Sequence, residues 1–295
     1  MPTPTPPQLH RTAPREARGN PAATVAPAAR SLRILRCTVA DPARIVGEAA
    51  STAWLQRATV LKSEGRSAAY AGRVDALPVV VKCLRLDRPK DLLARAFGQT
   101  RGLRQWSGAA LLASRGFATP ELLVLARGRD ESGRVVETLV MERVDAPTLL
   151  QVIAERAGGR PSESLANRAL AREAGALAGR MARAGLRNRD LKPSNVLAAR
   201  KAGGSEWLLI QIDTVGVRED DAASAGEMLF RLLVECVGVG RTPARTLRWR
   251  AVRAALETGG GAPSRGTAKA LWREVEARLA RHGDPTPKVN PLSSS

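Results

Sequence analysis

Eight consecutive residues, Asn188-Arg189-Asp190-Leu191-Lys192-Pro193-Ser194-Asn195, constrain this chain more than any other stretch. Before them runs a helical pattern over residues 164–184, with Leu170, Ala174, Leu177 and Met181 on one face and Gly185 as a stop. After them come two short apolar runs, residues 196–199 and 207–212, which read as a strand pair across a Gly203-Gly204 turn. A polar loop is therefore held between a core helix and core strands. It carries an acid that can take a hydroxyl proton (Asp190), a cation two residues on (Lys192) and a carboxamide five residues on (Asn195). Phosphoryl transfer asks for these groups in one loop.

The matching signature is H-R-D-L-x-x-x-N, with Arg189, Asp190, Leu191 and Asn195 in register and Asn188 in place of the histidine. Two further anchors follow from it. In Pro78-Val79-Val80-Val81-Lys82-Cys83-Leu84 a lysine interrupts a β-branched run, and a charge in a buried strand needs a partner. Lys82 reads either as the lysine of V-A-I-K, which reaches nucleotide phosphates, or as a solvent-facing residue of an edge strand. Asp213 ends the run 208–212, close enough after Asn195 for the two to share a divalent metal. The corresponding D-F-G stands here as Asp213-Thr214-Val215-Gly216, without phenylalanine and with the glycine one place late. A plain strand-end turn is the alternative for Asp213.

Around these anchors the pattern is that of an antiparallel meander followed by helices. Strands are expected at 33–39, 59–63, 68–74, 77–86, 122–127 and 134–144, with turns at Gly65, Asp75-Ala76 and residues 130–133, and a short helix at 43–55. The stretch 65–72 is not G-x-G-x-x-G, and an ordinary hairpin with turn glycines accounts for it equally well. A helical region spans 90–114, ends near Gly116, and contains no acid between Asp91 and Glu121. The glutamate that kinases supply to their lysine is thus missing. Gln105 is the best-placed substitute, able to accept a hydrogen bond from Lys82 but bringing no charge. Residues 139–144 fall where a hinge would meet the adenine edge, which marks Glu142 and Val144. Helices are expected at 148–156, 222–237, 243–256 and 267–281, with a Gly259-Gly260-Gly261 linker. The short segment after Asp213 leaves no room for a long activation loop and holds no A-P-E, which points to a non-protein acceptor.

Composition excludes several other chemistries. The only histidines are His10 and His282, and Cys37, Cys83 and Cys236 share no ligand spacing, so a Ser-His-Asp site, a zinc site and a disulfide framework all lack material. A net charge of +19 suits an anionic partner, yet 3% aromatic residues argue against nucleic acid. Residues 228–240, interrupted by Arg231 and Glu235, cannot span a membrane, and the N-terminus has no apolar signal core. A cytoplasmic protein is expected. Residues 1–31, with seven prolines, read as a disordered tail.

Lys82, the Arg189-Asp190-Leu191 loop with Asn195, and Asp213 stand in the order and spacing of the protein-kinase-like fold. Gln105-Trp106, Leu111-Leu112, Gly116-Phe117-Ala118-Thr119-Pro120, Arg241-Thr242-Pro243, Leu247-Arg248-Trp249 and Leu271-Trp272-Arg273 resemble the lipopolysaccharide kinase (Kdo/WaaP-type) family, over roughly residues 55–282. That resemblance implies an α+β, bilobal fold, with an antiparallel-sheet N-lobe (32–144), a mainly helical C-lobe (145–283) and a second tail at 284–295. It implies an ATP-dependent kinase acting on a sugar hydroxyl of a lipopolysaccharide-core-like glycolipid, at the cytoplasmic face of a membrane whose anionic surface it touches peripherally. Asp190 would then take the acceptor proton and Lys192 steady the transferred phosphoryl group. Lys82, Gln105, Glu142 and Val144 would bind ATP, and Asn195 and Asp213 would hold Mg2+. The family usually keeps a glutamate where Gln105 stands, so a pseudokinase is the competing class. Lys192-Pro193-Ser194 favours an atypical serine/threonine protein kinase as a third reading.

Overall fold

The computed structural model describes residues 30–157, 165–201, 206–258, 264–287 and 290–292. The expected tail over residues 1–29, the Gly203-Gly204 turn and the Gly259-Gly260-Gly261 linker lie outside the described residues.

The N-lobe opens with strand β1 (Arg30–Cys37), so strand begins two residues inside the expected tail. Its Leu32 and Ile34 pack toward one face of the sheet and its Leu35 toward the other, which is why this edge segment is ordered. The single helix expected at 43–55 is two, α1 (Pro42–Ala49) and α2 (Thr52–Arg57), because Ser51 starts a new helix by accepting the Trp54 N–H. Strands β2 (Thr59–Glu64), β3 (Ser67–Val74) and β4 (Leu77–Arg85) form the expected meander. The region 90–114 is likewise two helices, α3 (Pro89–Ala96) and α4 (Arg101–Ser114), separated where Thr100 caps α4. Strands β5 (Leu122–Arg129) and β6 (Val135–Glu142) complete a sheet ordered β1-β5-β6-β4-β3-β2, all antiparallel.

Period-two alternation sends the two sheet faces into different layers. Val79, Val81 and Cys83 of β4 pack with Ile45, Val46 and Trp54 of α1 and α2. Val80, Leu125, Leu139 and Met141 pack with Ala109 and the partly buried Trp106 of α4. Lys82 shares parity with Val80 and therefore faces α4.

The C-lobe has its own core, built on helices α5 (Leu149–Ala157) and α6 (Leu165–Arg183). Strand β7 (Leu186–Asn188) delivers the chain into the loop, where Pro193–Asn195 makes one 3-10 turn. Strands β8 (Val196–Arg200) and β9 (Trp207–Gln211) pair as expected, and β10 (Val217–Glu219), which the sequence did not suggest, pairs with β7. Helices α7 (Ala225–Gly238), α8 (Arg245–Glu257) and α9 (Arg265–His282) close the lobe. Within residues 284–295, expected as a second disordered tail, the described residues include Pro285, whose carbonyl Gly238 approaches, and Leu292, which packs against the C-lobe core.

Candidate active site

Strand β4 lies between β3 and β6, so Lys82 is on an interior strand and not on an edge. Its Nζ donates to Gln105 Oε1 at 3.2 Å and to the Ile212 carbonyl at 3.1 Å. Burial pushes the Lys82 ammonium below its ordinary value; the Asp213 charge opposes this, while the Arg101 and Lys62 charges add to it. Gln105, 2% exposed, also donates from Nε2 to the same Ile212 carbonyl at 3.2 Å. One neutral amide thus ties the lysine of β4 and the end of β9 to α4.

Helix α4 is fixed by other contacts. Glu137 of β6, with no exposed surface, sits at the α4 N-terminus, where a negative charge is favoured by the helix dipole. Its Oε2 accepts the Gly102 N–H at 3.2 Å, and its Oε1 accepts Thr100 Oγ1 at 2.8 Å and Arg127 Nη2 at 2.6 Å. Further along, Thr214 Oγ1 donates to the Gln105 carbonyl at 2.6 Å. A Cβ on Gly108 would overlap the Thr214 carbonyl oxygen, so only glycine permits this approach. The sequence singled out none of Glu137, Gly108 or Thr214. The one available signal was Glu137 itself, a charge inside an otherwise apolar strand, the same anomaly that marked Lys82.

In the loop, Asn188 occupies the histidine position and is 1% exposed. Its Nδ2 donates to Gln211 Oε1 at 2.8 Å, and its Oδ1 accepts the Asp190 N–H at 2.9 Å. Arg189 N–H reaches the Gly216 carbonyl at 3.1 Å, and a Cβ on Gly216 would stand 2.9 Å from Asp190 Oδ2. The late glycine of Asp213-Thr214-Val215-Gly216 is therefore set against the loop backbone. Asn195 Nδ2 donates to the Asp190 carbonyl at 3.0 Å, and the Asn195 carbonyl accepts Ile212 N–H at 3.0 Å. Glu235 of α7 braces the loop from below, accepting Ser194 N–H at 2.9 Å and Ser194 Oγ at 2.7 Å. Lys192 N–H donates to the Asp190 carbonyl at 2.9 Å. Its Nζ lies 3.7 Å from Glu235 Oε1.

Asp213 is held by Arg101 Nη2 at 3.3 Å and by the Val215 N–H at 3.4 Å. Burial disfavours its carboxylate, but the Lys82 and Arg101 charges prevail and keep its pKa below the ordinary range. Asn195, with Nδ2 donated, offers Oδ1. An amide oxygen and an ionised carboxylate on segments joined by the Ile212–Asn195 bond are hard oxygen donors, and Mg2+ takes one or two such protein oxygens with phosphate oxygens and water. The residues fit that ion.

At the expected hinge, Arg143 N–H bonds the Pro78 carbonyl. Pro78 has no N–H to return, so the β4–β6 ladder stops there. Glu142 gives its N–H to the Glu121 carbonyl at 2.9 Å, whereas the Val144 N–H has no backbone acceptor among the described residues. Gly65 takes a positive φ in an open turn. At Gly72 a Cβ would stand 2.7 Å from the Trp54 ring, so its absence there serves packing under α2. An apolar cavity of about 320 Å³ lies elsewhere, among Leu149, Leu170, Leu232, Leu247 and Val252 of the C-lobe helices, and none of the predicted site residues lines it.

The lipopolysaccharide kinase (Kdo/WaaP) family model matches residues 55–235. Among solved structures, that of WaaP in complex with acyl carrier protein is similar over 76% of this chain and 88% of that chain, at 20% sequence identity and a TM-score of 0.54, which is a likeness of fold. No curated protein matches the chain.

Proposed function

The chain belongs to the lipopolysaccharide kinase (Kdo/WaaP) family, a family of phosphotransferases, and from that premise we propose that it moves the γ-phosphoryl group of ATP to a sugar hydroxyl of a lipopolysaccharide-core-like glycolipid. One observation carries this reading. A continuous hydrogen-bonded run joins the nucleotide-gripping side to the acceptor side: Lys82 Nζ to the Ile212 carbonyl, Ile212 N–H to the Asn195 carbonyl, and Asn195 Nδ2 to the Asp190 carbonyl.

Lys82 grips the nucleotide phosphates, with Gln105 aiming its ammonium. The free Val144 N–H offers a donor to the adenine edge, and Glu142 contributes by its carbonyl. Asp190, its backbone fixed by Asn188, Asn195 and Gly216, orients the acceptor hydroxyl and takes its proton. Lys192 reaches the transferred group by rotating away from Glu235, which a long, 45% exposed side chain permits. Asn195 and Asp213 hold Mg2+, which when bound neutralises charge on the phosphates. Between Asp213 and α7 the chain passes directly through β10, which packs it against β7 and leaves no peptide-holding segment. That supports a sugar acceptor.

The solved structure of similar fold is a complex with acyl carrier protein, so an acyl carrier protein is a second candidate partner for this chain. The pseudokinase reading is favoured by the uncharged Gln105 beside Lys82 together with the stretch 65–72, which is not G-x-G-x-x-G.

The test is phosphoryl transfer from labelled ATP with Mg2+ to envelope glycolipids, followed by mass spectrometry, for the wild type and Asp190→Asn. A phosphorylated glycolipid in the wild type alone is expected. Equal rates in both proteins would sink the enzyme reading, and label on protein but never on glycolipid would replace the acceptor.

A further inference from the structure

Helix α3 presents an apolar face to solvent. None of its residues is buried, and Leu92, Leu93 and Phe97 just after it are 59%, 63% and 74% exposed. At about 100° per residue, Leu92, Ala96, Leu93 and Phe97 fall within an arc of roughly 140°. Lys90 and Arg88 stand at the two margins of that arc, both exposed. The acids of this segment are already engaged. Arg66 Nη1 lies 2.6 Å from Asp87 Oδ1 and 2.7 Å from Asp91 Oδ2, and Asp91 also accepts the Arg88 N–H.

The same ion pairs pin the β2–β3 turn, where Arg66 resides, to the start of α3. At the other end, residues 97–100 lead straight into α4, whose first residue Arg101 donates to Asp213. The apolar face is therefore separated from Arg101, which holds Asp213, by one short connection. A short helix with a bare apolar face and cationic margins is the arrangement that lies in the headgroup layer of an anionic bilayer. The chain carries a net charge of +19, which draws it to such a surface.

We propose that α3 with Phe97 is an interfacial anchor for anionic phospholipid bilayers. Leu92, Leu93 and Phe97 enter the headgroup layer, Lys90 and Arg88 bind lipid phosphates, and the cleft is presented to an acceptor embedded in the same surface. The anchor rests on the glycolipid reading of the acceptor.

The full chain is sedimented with vesicles of phosphatidylglycerol and phosphatidylcholine, and with phosphatidylcholine alone, in about 0.5 M salt, where the Debye length of roughly 4 Å screens diffuse attraction. The wild type is expected to partition onto the anionic vesicles. The triple variant Leu92→Ser, Leu93→Ser, Phe97→Ser, altered only at exposed positions, is expected to lose at least about tenfold in partition. Its rate on a deacylated, soluble acceptor should stay within about twofold of wild type, while its rate on vesicle-embedded glycolipid falls. Lys90→Glu should reduce partition by less. A triple variant that partitions like the wild type, or a wild type that does not partition, overturns the anchor. So does a triple variant that keeps vesicle binding and loses only binding to an acyl carrier protein. A wild type that partitions but phosphorylates no glycolipid in any format leaves the anchor standing and removes the acceptor reading.

Discussion

The grip on Lys82 and the loop from Asn188 to Asn195 solve the same problem, holding a catalytic group still, by opposite means. The loop is fixed in part by its own residues, with Gln211 and Glu235 bracing it from outside. Asn188 accepts from the N–H two residues on, and Asn195 donates to the carbonyl five residues back. The Lys82 region is fixed from afar, since Gln105 bonds across 107 residues to Ile212, Thr214 across 109 to Gln105, and Glu137 across 35 to Gly102. In both regions the expected ionisable partner is replaced by an amide. In the loop the amide takes over the bonding itself, whereas at Lys82 the missing charge is accompanied by a carboxylate, Glu137, placed at the N-terminus of α4. Loss of the lysine–glutamate pair does not free the helix, because Glu137, Gly108 and Thr214 hold it.

Four substitutions put that contrast under strain. Asp190→Asn should lower kcat by about 10³-fold while circular dichroism stays unchanged, because removing a general base costs that much when the scaffold survives. Glu137→Gln leaves Arg127 without its buried partner, and urea unfolding should record a loss of about 3 kcal/mol. An accompanying fall in kcat/KM for ATP would confirm that Glu137 positions α4; unaltered kinetics at reduced stability would confine it to folding. Gly108→Ala drives a methyl into the Thr214 carbonyl, so a loss of about 2 kcal/mol and a raised KM for ATP are expected from thermal melts and initial rates.

The smallest effect concerns Gln105→Glu. It adds a charge beside Lys82 but removes the Nε2 donor to Ile212, so kcat/KM for ATP should change by no more than about threefold. Its signature is in the pH profile. Burial lowers the Lys82 pKa from 10.5, so the wild-type profile should fall, as pH rises, before the ordinary lysine value is reached. A carboxylate at position 105 stabilises the ammonium and should move that limb to higher pH. A limb that stays in place means another group titrates there.

The same contrast explains what could be read from the sequence. Asp190, Asn195 and Asp213 were visible because a loop fixed by near neighbours has a spacing signature, and Lys82 because a charge interrupts an apolar strand. Gln105 followed only from the absence of any acid in its region. Glu137 and the Gly108–Thr214 contact had no such spacing, because their partners are brought together by the packing of α4 on the sheet. The break between α3 and α4 was missed because Thr100 as a cap outweighs a continuous helical pattern, and β10 because three residues carry no period of their own. Gly72, read as a hairpin turn glycine, answers instead to the Trp54 ring, which no local pattern encodes.

The buried amide pair of Asn188 and Gln211 has one more consequence. An imidazole at that position would change charge within the range from about pH 5 to 8. A carboxamide has no proton to gain or lose there, and the remaining histidines are His10, far outside the site in sequence, and His282, stacked edge-on against Phe230. The bonds that Asn188 makes beneath Asp190 therefore need no proton gained or lost between pH 5.5 and pH 7.5.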